Sequence, residues 1–142
     1  VTLEWAEPVS PASLTVDPAL SITRKVEPAA PIAANAAVRV TIRTRVGTGM
    51  QLTGCHLVTD LVPSGLQPTT WDGRFDRESD ELSPWSISGQ RVTFCASTEP
   101  LVYYARVVTP GRYRWEPALL QLAGALDHVA MTEAITLRIS AP

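Results

Sequence analysis

The sequence predicts an all-β domain, built as an antiparallel β-sandwich of about seven strands. Twelve prolines are spread over the 142 residues, and the two longest proline-free stretches are 32–62 and 118–141. Because proline interrupts helices and central strands, this spacing excludes a helical bundle. Between the prolines, apolar and polar residues alternate over short runs separated by turn-forming residues, which is typical of sandwich domains.

The clearest alternation lies at 38–46. Val38, Val40 and Ile42 are apolar, and the Arg and Thr residues between them point to the opposite face, as expected for a half-buried strand. The same pattern at 135–139 predicts a strand near the C-terminus. The other strand candidates are rich in β-branched, leucine or aromatic residues and lie at 13–16, 20–26, 51–62, 90–96 and 101–109.

Two segments depart from this pattern. Residues 64–89 form a long loop rich in Gly, Ser, Pro and charge, which we expect to contain a short strand or an ordered lid. Good helix formers follow Pro117, a favoured first helical position, and predict a short helix near 118–127.

The chain is expected to form one domain. We assign 20–142 to the sandwich and 1–19 to an N-terminal extension or a first edge strand. The chain begins at Val1 rather than Met, which is typical of a fragment of a longer polypeptide.

Composition excludes several classes of protein. Hydrophobic residues make up 45% of the chain and its net charge is −2, which argues against disorder. A pI near 5.6 argues against nucleic-acid binding, and no apolar run is long enough to span a membrane. Arg39, Arg43 and Arg45 share one strand face, either a solvated surface or a domain–domain contact paired with acids.

No arrangement of residues typical of catalysis stands out. His56 and His128 lack a second ligand at metal-binding spacing, and neither a phosphate-binding glycine loop nor a Gly-x-Ser-x-Gly elbow occurs. The acidic residues of 72–81 lack the spacing of a calcium loop. We therefore expect a protein that is not an enzyme and holds no metal or cofactor.

Cys55 and Cys95 lie in separate strand candidates, 40 positions apart. In a small proline-rich β domain this pair favours one disulfide, and hence an extracytoplasmic location: periplasmic, cell-surface or secreted. The alternative is two reduced thiols in the core. Leu57 and Leu61 share the strand face of Cys55, and we expect both to point into the core.

Two segments resemble motifs of a known family. Residues 58–66 (VTDLVPSGL) are similar to a V-x-D-x-L-P-x-G-L stretch, and 103–113 (YYARVVTPGRY) resembles the Y-x-x-R-x-x-T-x-G-x-F/Y run of bacterial α2-macroglobulin-like proteins. The acidic loop from Asp72, the strand at 91–94 and the opening strand at 21–26 fit the same order. The matching motif residues are Asp60, Pro63, Gly65, Tyr103, Arg106, Thr109, Gly111 and Tyr113.

The resemblance implies the C-terminal macroglobulin domain of such a protein, with a fibronectin- or immunoglobulin-like sandwich. It implies a non-catalytic module of a protease trap, with the other domains of the same polypeptide as direct partners and trapped proteases as indirect ones. The family's reactive thioester needs Cys-x-Glu-Gln, which follows neither Cys55 nor Cys95. The family's Met-Tyr segment is not recognisable in 118–131.

Two other functions fit the same fold. One is a stalk repeat of a bacterial cell-surface protein, which shares the D-x-L-P-x-G turn but not the run at 103–113, and in which Lys25 would be the candidate amine of an isopeptide bond. The other is a carbohydrate-binding module that stacks sugar rings on Trp71, Trp85 and Trp115.

Overall fold

The computed structural model describes residues 13–47 and 54–142, and these form twelve β-strands without an α-helix. The predicted strand at 51–62 begins outside the described residues, and so do residues 1–12 of the predicted N-terminal segment. The strands are β1 (Thr15–Val16), β2 (Leu20–Glu27), β3 (Ala37–Val46), β4 (Leu57–Leu61), β5 (Leu66–Thr69), β6 (Ser86–Ser88), β7 (Arg91–Cys95), β8 (Leu101–Val107), β9 (Gly111–Trp115), β10 (Leu119–Leu122), β11 (Ala125–Met131) and β12 (Ile135–Ile139).

The strands form three sheets that pack around one core. The six-stranded sheet has the order β1-β11-β10-β4-β7-β6, the four-stranded sheet β2-β3-β8-β5, and the two-stranded sheet β12-β9. Every strand pairing in them is antiparallel except that of β1 with β11. The predicted all-β sandwich is confirmed.

The alternation predicted at 38–46 is present in β3. Val38, Val40 and Ile42 are fully buried, and the residues between them lie on the outer face of the four-stranded sheet. The inner face packs against Val58 of β4 and Phe94 of β7 in one hydrophobic cluster, so burial of apolar surface joins the two larger sheets.

The predicted number of about seven strands is too low. The segment 64–89, expected to be mainly a loop, contains β5 and β6, which extend opposite sheets. The part between them crosses from one sheet to the other, and Leu82 forms an isolated bridge with Leu101. β1 is a two-residue strand at an edge of the six-stranded sheet.

The predicted helix near 118–127 is wrong. These residues form the hairpin of β10 and β11, in which Leu120 pairs with both Val58 and Ala130. Gly124 has φ +81° in the turn, a conformation that disfavours a helix and that glycine adopts freely. Pairing with β4 buries Leu120, and this tertiary interaction outweighs local helix propensity.

The predicted disulfide is confirmed. Cys55 and Cys95 are bonded, with Cα atoms 4.9 Å apart, and Cys95 lies opposite Leu57 in the pairing of β4 with β7. The bond therefore fastens the residues before β4 to the end of β7. In the described residues no helix is long and apolar enough to span a membrane.

Candidate functional site

The first motif segment contributes a charged residue to the core. Asp60 of β4 is fully buried. Its Oδ1 accepts hydrogen bonds from Arg24 Nη1 at 2.7 Å and from Trp115 Nε1 at 3.1 Å. Its Oδ2 accepts the hydroxyl of Tyr103 at 2.8 Å. We call these four residues the aspartate cluster.

The aspartate cluster joins all three sheets. Asp60 belongs to the six-stranded sheet, Arg24 and Tyr103 to the four-stranded sheet, and Trp115 to the two-stranded sheet. Arg24 also donates to the carbonyl of Glu116 at 2.9 Å, and its guanidinium lies 4.6 Å from the Trp115 ring centroid. Pairing, hydrogen bonding and cation–π contact offset the cost of burying the two charges.

Burial also sets the ionisation of Tyr103. Desolvation, reinforced by the negative charge of Asp60, raises the pKa of the Tyr103 phenol well above its ordinary value. The hydroxyl therefore stays protonated and remains a hydrogen-bond donor to Asp60 throughout the neutral range.

The second group of motif residues forms a corner between β5, β8 and β9. The carbonyl of Gly65 accepts the backbone N–H groups of Val108 at 2.9 Å and Thr109 at 3.3 Å. The hydroxyl of Tyr113 donates to the carbonyl of Thr109 at 3.0 Å. A tyrosine bonded to the backbone a few residues upstream is the device that fixes a corner in immunoglobulin-type sandwiches. We call Gly65, Thr109, Gly111 and Tyr113 the tyrosine corner.

The tyrosine corner requires glycine for two different reasons. A Cβ on Gly65 would overlap Cε2 of Tyr113 and lie 2.5 Å from its Cζ. Gly111 has φ +149°, and a Cβ there would also approach the same ring, at 3.3 Å. The two glycines therefore let the Tyr113 ring lie close to the backbone.

Pro63 lies in the turn that leads from β4 to β5. The carbonyl of Pro63 accepts the N–H of Leu66 at 2.9 Å. The Gln90 side chain donates to the carbonyls of Val62, Pro63 and Leu66 at 2.8–3.0 Å. Gln90 is thus a structural residue that the sequence did not single out, because its partners lie 24–28 positions away.

Arg106 holds the start of the loop between β5 and β6. Its Nε donates to Asp72 Oδ2 at 3.1 Å, and the backbone N–H of Arg74 donates to Asp72 Oδ1 at 3.1 Å. The pKa of the buried Asp72 carboxyl is lowered below its ordinary value. The largest cause is the hydrogen bond from the Arg74 N–H, and the hydrogen bond from Arg106 adds to it. Arg74 Nη1 also reaches the carbonyl of Asn35 at 2.8 Å.

The end of the same loop is held on the outer face of the four-stranded sheet. Glu81 pairs with Arg39 and accepts the hydroxyl of Tyr104 at 3.4 Å. Glu78 lies 3.5 Å from Arg39, and the Phe75 ring lies 5.4 Å from that of Tyr104. One member of the predicted arginine face is thus paired with acids of the loop.

No group of three His, Cys, Asp or Glu side chains in 13–47 and 54–142 is arranged to hold a metal ion. His56 is buried, and its Nδ1 accepts the N–H of Ala123 at 2.8 Å. His128 lies 3.4 Å from Asp17. Each histidine therefore has one contact with another part of the fold.

The three tryptophans among the described residues divide into two classes. Trp115 is fully buried, which excludes it as the sugar platform considered above, whereas Trp85 and Trp71 are 74% and 54% exposed. Lys25, the candidate for an isopeptide bond, is exposed and pairs with Glu27 at 2.8 Å.

No protein-family model matches the chain, and no curated protein matches it. The relationship to the α2-macroglobulin family therefore stays a prediction from the two motif segments.

Proposed function

We propose that the chain is a non-catalytic structural and interaction domain of a bacterial α2-macroglobulin-like protease trap. The observation that carries this proposal is the meeting of the two motif segments in space. Asp60 of the first bonds to Tyr103 of the second, and Gly65 of the first bonds to Thr109 and contacts Tyr113. Residues that resemble one family in two separate segments thus act together in the fold.

The contacts of these motif residues support a structural role rather than a catalytic one. Asp60 and Tyr103 are buried, and both carboxylate oxygens of Asp60 and the hydroxyl of Tyr103 are hydrogen-bonded. Arg106 anchors Asp72, and the Tyr113 hydroxyl bonds to backbone carbonyls. Each of these contacts holds two parts of the sandwich together, which is the task of a supporting domain.

Exposed apolar side chains support packing against neighbouring domains. Trp85 and Leu82 are 74% and 41% exposed, at the edge where the chain crosses between the two larger sheets. With Phe94 and Leu101 they line an open hollow of about 280 Å³. We infer that a neighbouring domain of the same polypeptide covers this hollow, since clustered exposed apolar residues mark interaction surfaces.

The disulfide supports an oxidising compartment. We place the parent protein in the periplasm, on the cell surface or outside the cell. Alkylation of the natively produced protein, followed by intact mass measurement, tests this location. The bonded form takes up no alkyl groups at Cys55 and Cys95 before reduction and two afterwards, and modification of both thiols without reduction would contradict the proposed location.

The proposed packing is tested by a pull-down. The 142-residue chain serves as bait for the product of the same reading frame with this domain deleted. We expect capture that is weakened at least tenfold by Trp85→Ser, while Leu126→Ser, a matched change at another exposed apolar residue, has little effect. Absence of capture by the unaltered chain would refute the docking role.

Carbohydrate binding is the second candidate, favoured by the exposure of Trp71 and Trp85. Aromatic rings in loops stack on sugar rings when polar groups converge beside them. Titration with a panel of glycans, followed by tryptophan fluorescence, tests it. A saturable change lost in Trp85→Ser or Trp71→Ser would support sugar binding, and unchanged fluorescence across the panel would exclude it. The sequence of the upstream reading frame distinguishes a stalk repeat from a macroglobulin domain.

A further inference from the structure

Among residues 13–47 and 54–142, the edge of β2 that faces away from β3 has no partner strand. The N–H of Gly47 donates toward β2, to the carbonyl of Ala19, whereas the N–H of Leu20 points away from β3 and donates to Asp17. Backbone groups alternate between the two sides of an antiparallel strand. The N–H and C=O groups of the even-numbered residues of β2 therefore face the open edge.

A slot lies beside this edge on the inner side of the sheet. It has a volume of about 390 Å³ and separates β2 from the segment that joins β11 to β12. Its apolar lining comes from Ile22, Met131 and Ile135, and Ile135 is 38% exposed. Apolar side chains of an added strand would enter this slot, because alternate residues of a strand point to opposite faces.

A second cavity, of about 440 Å³, lies on the outer side of the same strands and shares Thr23 with the slot. Lys25, Arg39 and Arg43 line it together with Glu27 and Glu78. Lys25 pairs with Glu27, and Arg39 pairs with Glu78 and Glu81, so Arg43 contributes the unpaired positive charge of the described lining. Arg45, next to it on the outer face of β3, adds another. Neither Arg43 nor Arg45 forms an ion pair with any residue of 13–47 or 54–142.

Among the described residues, Arg43 and Arg45 are thus the unpaired charges of this outer face, whereas Glu133 lines the slot on the inner side. A partner strand beside β2 would place its outward side chains next to Lys25 and within reach of Arg43. Acidic side chains at those positions would pair with Arg43 and Lys25, while a second copy of β2 would place a second Lys25 at the same edge. The charges therefore favour an acidic partner over self-association.

We propose that the open edge of β2 binds an extended acidic segment of a partner protein by strand addition. The backbone of the partner segment pairs with Ile22 and Arg24. Its acidic side chains point to the outer cavity, and its apolar side chains enter the slot. Backbone pairing supplies affinity and the alternating side chains supply specificity. This inference goes beyond the proposed function, because it depends on the geometry of β2 and not on a relationship to macroglobulins.

The probe is a blocked seven-residue peptide that alternates Asp or Glu with Val or Ile. Calorimetry measures its affinity, and amide hydrogen exchange by NMR locates it. We expect the N–H groups of Ile22 and Arg24 to gain protection. Lys25→Glu combined with Arg43→Glu weakens binding at least tenfold, whereas Arg112→Glu, a matched change on β9, has no effect.

Two N-methylated peptides separate strand pairing from charge attraction. One carries N-methyl groups at its odd positions and the other at its even positions. Because only every second N–H of a strand points to its neighbour, one of the two loses binding and the other keeps it. A peptide with Lys in place of the acids does not bind.

Several outcomes would overturn the proposal. Equal binding of both N-methylated peptides would mean that charge alone attracts the segment. Equal binding of the lysine peptide would show that acidic side chains do not contribute to recognition. A concentration-dependent dimer with β2 protected in the absence of peptide would make a second copy the occupant. Lack of any binding by the acidic peptide would refute the inference while leaving the pull-down with the parent protein unaffected.

Discussion

Arg24 Nη1 of the four-stranded sheet lies 2.7 Å from Asp60 Oδ1 of the six-stranded sheet, and both side chains are at least 98% buried. The two residues are 36 positions apart. Their pairing links β2 to β4 across the core, where Tyr103 of β8 binds the other oxygen of the same carboxylate.

This pair predicts strong coupling between the two residues. Asp60→Ala should lower the free energy of unfolding by about 3–5 kcal/mol, because it leaves the Arg24 charge buried without its partner. Urea unfolding of Asp60→Ala, Arg24→Met and the double variant measures the coupling, which we expect at about 1–3 kcal/mol. Arg112→Met, an exposed control on β9, should change stability by less than about 0.5 kcal/mol. Additive single effects would contradict the role of the pair.

The tyrosine corner predicts a steric effect at Gly65. Gly65→Ala should destabilise the domain by about 1–3 kcal/mol, since its Cβ overlaps the Tyr113 ring. In the Tyr113→Leu background the same change should cost much less, which thermal unfolding of the four combinations would show. Gly73→Ala is the matched control, because its nearest side chain, Trp71, is exposed and free to move. An equal cost of Gly65→Ala in both backgrounds would argue against the contact.

The anchoring of Asp72 predicts a dependence on acid. Its pKa is lowered in the folded state, so its contribution is complete above the unfolded value of about 3.9 and is lost as the pH falls through the folded value. Asp72→Asn should therefore be less stable than the unaltered chain at pH 7, with a difference that shrinks below about pH 4. Urea unfolding at several pH values measures this difference, with Asp76→Asn as an exposed control. A difference independent of pH would rule out the charge as the cause.

The disulfide predicts a loss of stability on reduction. In the chain-entropy model, a loop of this length contributes about 4 kcal/mol. Reduced protein and the Cys55→Ala, Cys95→Ala double variant should lose similar stability in urea unfolding, and reductant should leave the double variant unchanged. A double variant as stable as the oxidised chain would show that the bond does not constrain the unfolded state.

The fold class could be predicted from the sequence, but which face of β4 is buried could not. Val38, Val40 and Ile42 alternate with polar residues, and their burial could be predicted from this pattern alone. In β4 the pattern favours Leu57 and Leu61 as core residues, yet Leu61 is 47% exposed. The opposite face is the buried one, and it carries Val58 and Val62 together with Asp60.

The burial of Asp60 could not be predicted from its neighbours. Its partners Arg24, Tyr103 and Trp115 lie 36, 43 and 55 positions away, and only the folded chain brings them together. The strands at 119–131 were missed for the same physical reason, since pairing of β10 with β4 outweighs a local preference for helix. The resemblance to macroglobulins identified Asp60 and Tyr103 as motif residues, but it did not predict the hydrogen bond between them.

Sequencing of the reading frame upstream of the codon for Val1 tests whether the chain is a domain of a macroglobulin-like protease trap. We expect a long region of repeated β domains. A Cys-x-Glu-Gln motif within that region would identify a thioester trap, and its absence would identify a trap that works by conformational closure. A tandem array of short D-x-L-P-x-G repeats in place of that region would refute the proposed protease trap and make the chain a stalk domain.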